Sequence, residues 1–95
     1  MKHKHYLIMY DICDPKRLRE VEKIVSLYGV RVQRSVFESD VDERMINNLR
    51  RRLDGIVIGD DFVAIIPLCE RDWQKSEKYG ILFPNQYIVE DFAIL

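Results

Sequence analysis

The sequence has no long apolar run and few of the residues that interrupt regular structure. Its 95 residues include only three prolines and four glycines, which argues against a disordered or low-complexity chain. No apolar stretch reaches the roughly 18 residues that a membrane-spanning helix needs. The first residues, MKHKHYLIMYD, also lack the apolar core and cleavage site of a signal peptide. We therefore expect one domain, residues 1–95, that works in the cytoplasm.

Cysteine is scarce too, and neither sign of charge is in clear excess. Cys13 and Cys69 lack the C-x-x-C spacing of zinc or redox sites, so we interpret both as small packing residues with free thiols. The net charge of −1 gives no overall attraction to nucleic acid. However, residues 1–52 carry 12 Lys and Arg against 8 Asp and Glu, and residues 53–95 carry 3 against 8. The basic half could hold a phosphate backbone, although charged helix faces alone produce such asymmetry.

A near-continuous apolar run over residues 5–12 predicts a first strand in the middle of a sheet, buried on both faces. Asp14 and Pro15 predict the start of a helix, because an N-cap acceptor is followed by a proline where no amide hydrogen is needed. Gly29 is the predicted C-cap of this helix.

Residues 30–38, VRVQRSVFE, are rich in β-branched side chains and predict a second strand. Partial alternation would place four of its residues on one face: Arg31, Gln33, Ser35 and Phe37. Asp40 and Glu43 resemble a capping box at the start of a second helix.

Residues 61–68, DFVAIIPL, predict a further strand, where Pro67 indicates a strand end or an unpaired side. A short third helix is expected around Trp73. The order β-α-β and then α-β, with one more strand, indicates an α+β fold of the ferredoxin-like, split β-α-β type, with a core over about residues 5–68. Residues 69–95 would be a linker and a C-terminal strand that docks on a sheet edge, such as that of a second subunit.

Asp11 is the candidate for chemistry, because it ends an apolar strand just before a helix. Mg²⁺ in proteins is held by one or two carboxylates together with water and substrate phosphates. Asp14 is better explained as a helix cap, which leaves one acid for each chain, but a two-fold dimer would bring both Asp11 residues together. The alternative is that Asp11 only accepts hydrogen bonds from the turn or from an arginine.

The cations can be separated by helix geometry, since each residue advances about 100°. Arg17 should reach the sheet, whereas Arg19 should point to water. Arg31 shares its predicted face with Phe37, which suits phosphate and base contact, although an outward-facing solvated strand fits equally well.

Three other features look chemical but have simpler explanations. The run Arg50–Arg52 spreads over roughly 200° of the second helix, so we interpret it as a solvated face. His3 and His5 have no matching cluster of acids or cysteines, and Cys13 has no evident base partner.

Residues 10–38, YDICDPKRLREVEKIVSLYGVRVQRSVFE, followed by DDFVAIIPL, resemble the small CRISPR-associated adaptation proteins of the Cas-two family. The features in common are an aromatic-Asp pair ending the first strand, a K-R-L helix start, the pattern G-x-R-V-Q-x-S-V-F-E and a later strand ending in proline. The resemblance covers about residues 5–70.

The resemblance implies a homodimer whose C-terminal strand packs against the partner. It also implies a metal-dependent endonuclease on RNA or double-stranded DNA that serves with the CRISPR spacer integrase. Asp11 would be the Mg²⁺ ligand, and Arg17 or Arg31 would stabilise charge. The residues around the metal would be Tyr10, Arg17, Arg31, Ser35 and Phe37. Because the matched motif contains no general base, slow turnover is expected.

Two alternatives remain open at this level. The chain could be a scaffold that holds duplex DNA for the integrase without cutting it, or a related ferredoxin-like toxin ribonuclease. A nuclease needs Asp11 and a metal, whereas a scaffold needs cations that contact phosphates and binds less tightly as salt increases.

Overall fold

The computed structural model describes residues 2–82 and 86–87. Its main body is a four-stranded antiparallel sheet with the order β2-β3-β1-β4. The elements of this body are β1 (His3–Asp11), α1 (Pro15–Val25), β2 (Val30–Gln33), β3 (Val36–Asp42), α2 (Glu43–Asp54) and β4 (Phe62–Leu68). Both helices contribute to a core on one side of the sheet. This is the predicted ferredoxin-like split β-α-β arrangement, which is confirmed.

The central strand β1 is buried on one face only. Tyr6, Ile8 and Tyr10 are buried in the core with α1 and α2, whereas Leu7 and Met9 on the other face are half-buried. The predicted central position is therefore confirmed, but burial on both faces is wrong for a single chain, because both long helices lie on the same side. We call the other surface the open face; it is formed by Leu7, Met9, Phe62, Ala64 and Ile66.

Residues 30–38 form a hairpin, so the prediction of one strand over this segment is wrong. β2 and β3 are joined by a turn at Arg34 and Ser35, and Arg31 pairs with Phe37 across the hairpin. The main-chain N–H of Tyr10 donates to the carbonyl of Ser35 at 3.1 Å, which ties the turn to β1. The turn at Arg34 and Ser35 divides this segment into two strands, and this supplies the extra strand that the ferredoxin-like order requires.

An aspartate caps the N-terminus of α1 and of α2, although the cap of α2 is not the predicted residue. Asp14 caps α1 as predicted, accepting the main-chain N–H three residues later at 2.9 Å. The cap of α2 is Asp42, which accepts an equivalent bond at 2.9 Å, and the predicted cap at Asp40 is wrong. The reason is that β3 continues through the buried Val41 before the helix begins.

Gly29 has a packing role in place of the predicted capping role. Helix α1 ends earlier, with Ser26 as its C-cap. A Cβ atom added to Gly29 would lie 2.5 Å from the carbonyl oxygen of Glu38. Glycine is therefore needed because the chain passes directly against the backbone of β3.

Replacing Gly29 by alanine is expected to lower the free energy of unfolding by about 1–3 kcal/mol, since the backbone of β3 must move to admit the methyl group. Urea unfolding measures this change. Gly55→Ala is the control, because its new Cβ would lie 3.5 Å from the nearest backbone oxygen, an ordinary contact. Equal stability of Gly29→Ala and the wild type would contradict the close approach.

The remaining elements follow α2 in the chain. Among the described strands, β4 pairs with β1 alone and lies at the edge of the sheet, which accommodates Pro67 as predicted. Helix α3 (Glu70–Lys75) contains Trp73, as expected, and Trp73 stacks on His5 with ring centroids 4.2 Å apart.

The chain continues into a short hairpin of β5 (Ile81–Leu82) and β6 (Gln86–Tyr87). The predicted docking of the C-terminal end lies outside the described residues. Within the described ranges, no helix combines the length and the apolar character that a membrane span requires.

Candidate active site

Asp11 is the last residue of β1, and its side chain is exposed. Alternation along the strand places it on the open face beside its β4 neighbour, Phe62. In residues 2–82 and 86–87 we find no ion pair or side-chain hydrogen bond at Asp11. Within those residues no partner competes with a ligand for its carboxylate, and the alternative of a carboxylate bonded to the turn or to an arginine is not observed there.

The donor set at Asp11 fits Mg²⁺ only if most ligands come from outside this chain. A single exposed carboxylate suffices for an ion that otherwise binds water and phosphate oxygens. Among the described residues, no cluster of three or more His, Cys, Asp or Glu side chains could hold a metal. Asp11 could thus contribute one ligand, with the others coming from water, substrate or a second subunit.

A polar network lies next to Asp11 on the helix side of β1. The hydroxyl of the buried Tyr10 is 3.2 Å from a carboxylate oxygen of Glu22 and 3.2 Å from the carbonyl of Arg34, and it can donate its proton to either. Arg31 forms an ion pair with Glu22 at 2.8 Å and donates to the Tyr10 oxygen at 3.4 Å. Burial raises the pKa of Tyr10, so the phenol is protonated at neutral pH.

Phe37 and Ser35 occupy different parts of this region. Phe37 is 2% exposed, its ring centre lies 6.2 Å from that of Tyr10, and the guanidinium carbon of Arg31 lies 5.3 Å from its centre. Because the Phe37 ring is buried in this conformation, we expect it to support Arg31 through a cation–π contact. Ser35 is half-buried and lines the same cleft as Asp11. Nucleic-acid contact by these residues stays a prediction.

Arg17 is held by a carboxylate that sequence reasoning missed. Its Nε and Nη2 donate to the two oxygens of Asp61 at 2.8 and 3.2 Å. Asp61 also accepts the main-chain N–H groups of Cys13 at 3.0 Å and Ile58 at 3.2 Å, and its side chain is 0% exposed. The bonds from Arg17 and then from these amides hold the pKa of Asp61 well below its usual range. Arg17 does point to the sheet and Arg19 is exposed, so both orientations are confirmed.

Asp61 fixes the segment that follows Asp11. It directly precedes β4 and is bonded to Cys13, two residues after Asp11, and to Arg17 in the first turn of α1. These contacts fasten the β1–α1 loop to the start of β4. In the sequence, Asp60 and Asp61 are adjacent acids of the kind found in exposed turns. Only the fold shows that the carboxylate of Asp61 is buried whereas Asp60 is exposed.

The two cysteines are free thiols as predicted, but both are exposed, so their interpretation as packing residues is wrong. Cys69 caps α3, where its sulfur accepts the main-chain N–H of Asp72 at 3.4 Å. Desolvation raises the pKa of the Cys13 thiol, and the nearby charges of Asp61 and Asp11 raise it further. The thiol is therefore protonated at neutral pH, which agrees with excluding a Cys13 nucleophile.

The other charged candidates lie away from Asp11 or bond locally. Arg50–Arg52 are all exposed, which confirms a solvated face, and they donate to neighbours on their own helix or to Tyr28. His3 lies 3.4 Å from a carboxylate oxygen of Asp40, and His5 lies 3.3 Å from one of Glu70, so the histidines have separate partners.

Comparison with known proteins identifies relatives of this chain. Residues 4–76 match the family model described as CRISPR associated protein Cas2. The chain is 40% identical over 88 residues to a CRISPR-associated endoribonuclease Cas2 of Chloroflexus aurantiacus, covering 87% of this chain and 95% of that protein. It is 39% identical over 69 residues to a CRISPR-associated endonuclease Cas2 of Thermus thermophilus, covering 72% and 77%. The crystal structure of Streptococcus pyogenes Cas2 superposes with a TM-score of 0.69 at 35% identity, covering 80% and 99%.

Proposed function

This chain belongs to the Cas2 family of CRISPR-associated proteins, and we propose that it is a Mg²⁺-dependent endonuclease of CRISPR adaptation. Its substrate would be RNA or double-stranded DNA, and it would also serve in the complex of the spacer integrase. The observation that carries this proposal is the exposed carboxylate of Asp11, which has no partner among the described residues and lies beside a cleft lined by arginines. Relatives named as an endonuclease and an endoribonuclease support it.

The side chains of the cleft would divide the work of phosphodiester hydrolysis. Asp11 would hold Mg²⁺, which when bound lowers the pKa of a water molecule and stabilises negative charge on the phosphate. Arg31, whose charge Glu22 already compensates, would orient a phosphate oxygen by hydrogen bonding. The phenol of Tyr10 is protonated and Glu22 is bonded to Arg31, so neither is available as a general base. Slow turnover is the expected consequence.

A two-fold homodimer through the open face would complete the site. Phe62 is 56% exposed and Ile66 is 37% exposed on this face, next to the half-buried Leu7 and Met9. An apolar patch of this kind favours association, and Asp11 lies at its edge. A two-fold axis nearby would bring both Asp11 carboxylates to one metal. Sedimentation at micromolar concentration tests this, since a monomer would leave each Asp11 alone.

Cleavage assays on labelled single-stranded RNA and duplex DNA, with Mg²⁺ or with EDTA, test the nuclease proposal. Cutting that requires Mg²⁺ is expected, and the preferred substrate identifies the biological nucleic acid. Absence of cutting on both substrates would contradict a nuclease.

A scaffold that holds duplex DNA for the integrase without cutting it is the second candidate. It is favoured by the lack, within the described part of the chain, of both an available general base in the cleft and a cluster of three metal-binding side chains. A scaffold would bind duplex DNA with affinity that falls steeply with salt and would not require Asp11.

The ion pair of Glu22 with Arg31 should limit the affinity for nucleic acid, because a carboxylate neutralises the guanidinium that would face a phosphate. Glu22→Gln is expected to tighten binding about 2- to 5-fold and to steepen the dependence of log affinity on log salt by up to about 0.9. Fluorescence anisotropy in EDTA measures both quantities. Glu20→Gln, an exposed carboxylate on the same helix, is the control. Equal changes in both variants would show a general charge effect and contradict a specific role of Glu22.

A further inference from the structure

Arg34 lies in the turn between β2 and β3, and its side chain is exposed. It borders a cleft of about 420 Å³ that is also lined by Asp11, Arg31, Glu22 and Ser35. The end of β1, which carries the proposed metal ligand, therefore borders the same cleft as two arginines. The two arginines differ in how they are bonded.

The backbone at Arg34 is fixed relative to Asp11. Tyr10, the residue directly before Asp11, donates its main-chain N–H to the carbonyl of Ser35 at 3.1 Å, and its hydroxyl lies 3.2 Å from the carbonyl of Arg34. Both contacts use main-chain oxygens of the turn, so neither of them involves the guanidinium of Arg34. The turn thus holds the backbone of Arg34, from which this side chain extends, at the edge of the cleft.

The charges of the other two candidate arginines are compensated within the chain. Arg17 is bonded to the buried Asp61 at 2.8 Å, and Arg31 is bonded to Glu22 at 2.8 Å. For Arg34 no ion pair is found with any residue in the described ranges. A guanidinium that already neutralises a carboxylate adds little attraction for a phosphate, whereas one with its full charge forms strong bidentate bonds to phosphate oxygens.

We propose that Arg34 is a further nucleic-acid-binding residue, which contacts a backbone phosphate next to the one that faces Asp11. This inference rests on the proposed function, because it assumes that a nucleic-acid strand enters the cleft. The contact is to phosphate and carries no base preference, so it applies to RNA and DNA alike.

Arg34→Gln and Arg71→Gln provide a matched test. Arg71 is an exposed arginine on α3, whose Trp73 packs on His5, roughly 20 Å along β1 from Asp11. Anisotropy of labelled single-stranded RNA and duplex DNA, in EDTA from 50 to 200 mM salt, measures binding without cleavage. Arg34→Gln is expected to weaken binding about 3- to 10-fold and to flatten the salt slope by about 0.7 on RNA or 0.9 on duplex DNA. Arg71→Gln should keep the wild-type values.

The outcomes separate this inference from the proposed function. If the wild type binds and Arg34→Gln has the same salt slope as Arg71→Gln, the role of Arg34 is overturned while the proposed function stands. If the wild type binds neither nucleic acid, both are overturned. Arg34→Lys keeps the charge and should keep the wild-type slope; a flattened slope in the lysine variant as well would show that a structural change, and not a lost phosphate contact, caused the effect.

Discussion

Replacing Asp11 by asparagine is expected to lower the rate of the proposed Mg²⁺-dependent cleavage about 100-fold or more, because the amide keeps the shape of the side chain but removes the charge that would bind the metal. Asp11 is exposed and has no bonded side-chain partner in the described residues. The melting temperature of Asp11→Asn should therefore equal that of the wild type. Single-turnover cleavage of labelled RNA and duplex DNA measures the rate.

Asp60→Asn is the matched control for this variant. Asp60 is exposed, and both it and Asp11 contribute to the charge around Cys13, so its replacement removes the same charge from the same neighbourhood. We expect near wild-type cleavage from Asp60→Asn. Similar rates for Asp11→Asn and Asp60→Asn would mean that Asp11 has no special role in the reaction.

Replacing Asp61 by asparagine is expected to lower the melting temperature by more than about 5 °C, since it leaves Arg17 without its buried carboxylate partner. Cleavage should fall as well, because Asp61 fastens the loop that follows Asp11 to the start of β4. Thermal unfolding and the cleavage assay measure the two effects, and Asp60→Asn serves again as the exposed control. A melting temperature equal to that of the wild type would contradict the structural role of this ion pair.

The loss of thermal stability in Asp61→Asn should depend on pH. The pKa of Asp61 is lowered in the folded chain, so its ionisation stabilises the fold fully above the ordinary value of 3.8 and progressively less as the pH falls below it. The difference in melting temperature between the wild type and Asp61→Asn should therefore be constant between about pH 5 and 8 and should shrink below about pH 4. A difference that changes near neutral pH would indicate another titrating group.

The pair can be isolated with a double-mutant cycle. Arg17→Gln alone leaves the carboxylate of Asp61 buried with its two amide donors, and Arg17→Gln combined with Asp61→Asn removes both charges. We expect the double variant to be more stable than the sum of the single effects indicates, because neither charge is left without its partner. Additive effects would mean that the two side chains do not interact.

The elements that local sequence determines were predictable. Asp14 and Pro15 specify the start of α1, and the apolar run of residues 62–68 forms β4 with its edge proline. The hairpin over residues 30–38 was not predictable, because VRVQRSVFE contains no glycine, proline or asparagine to mark a turn. In the fold, a hydrogen bond from Tyr10, which is remote in the sequence, ties this turn to β1.

The candidate site also has features that the local sequence predicts and features that depend on residues distant in the chain. The position of Asp11 at a strand end and the direction of Arg17 follow from strand and helix periodicity, which are local properties. The carboxylates that bind the arginines were missed, because Asp61 lies 44 residues from Arg17 in the chain and the two meet only in the folded sheet. Glu22 gives no local sign of its role, because its partner Arg31 belongs to the β2–β3 hairpin and meets it only in the folded chain.

Metal binding at Asp11 is tested most directly by adding Mn²⁺ to isotope-labelled protein and recording the paramagnetic broadening of its amide signals. We expect the signals of Asp11, Ile12 and Cys13 to broaden first in the wild type and in Asp60→Asn, to recover when Mg²⁺ competes, and to stay sharp in Asp11→Asn. Broadening of the same signals in Asp11→Asn, or broadening centred elsewhere in the wild type, would contradict a metal site at Asp11.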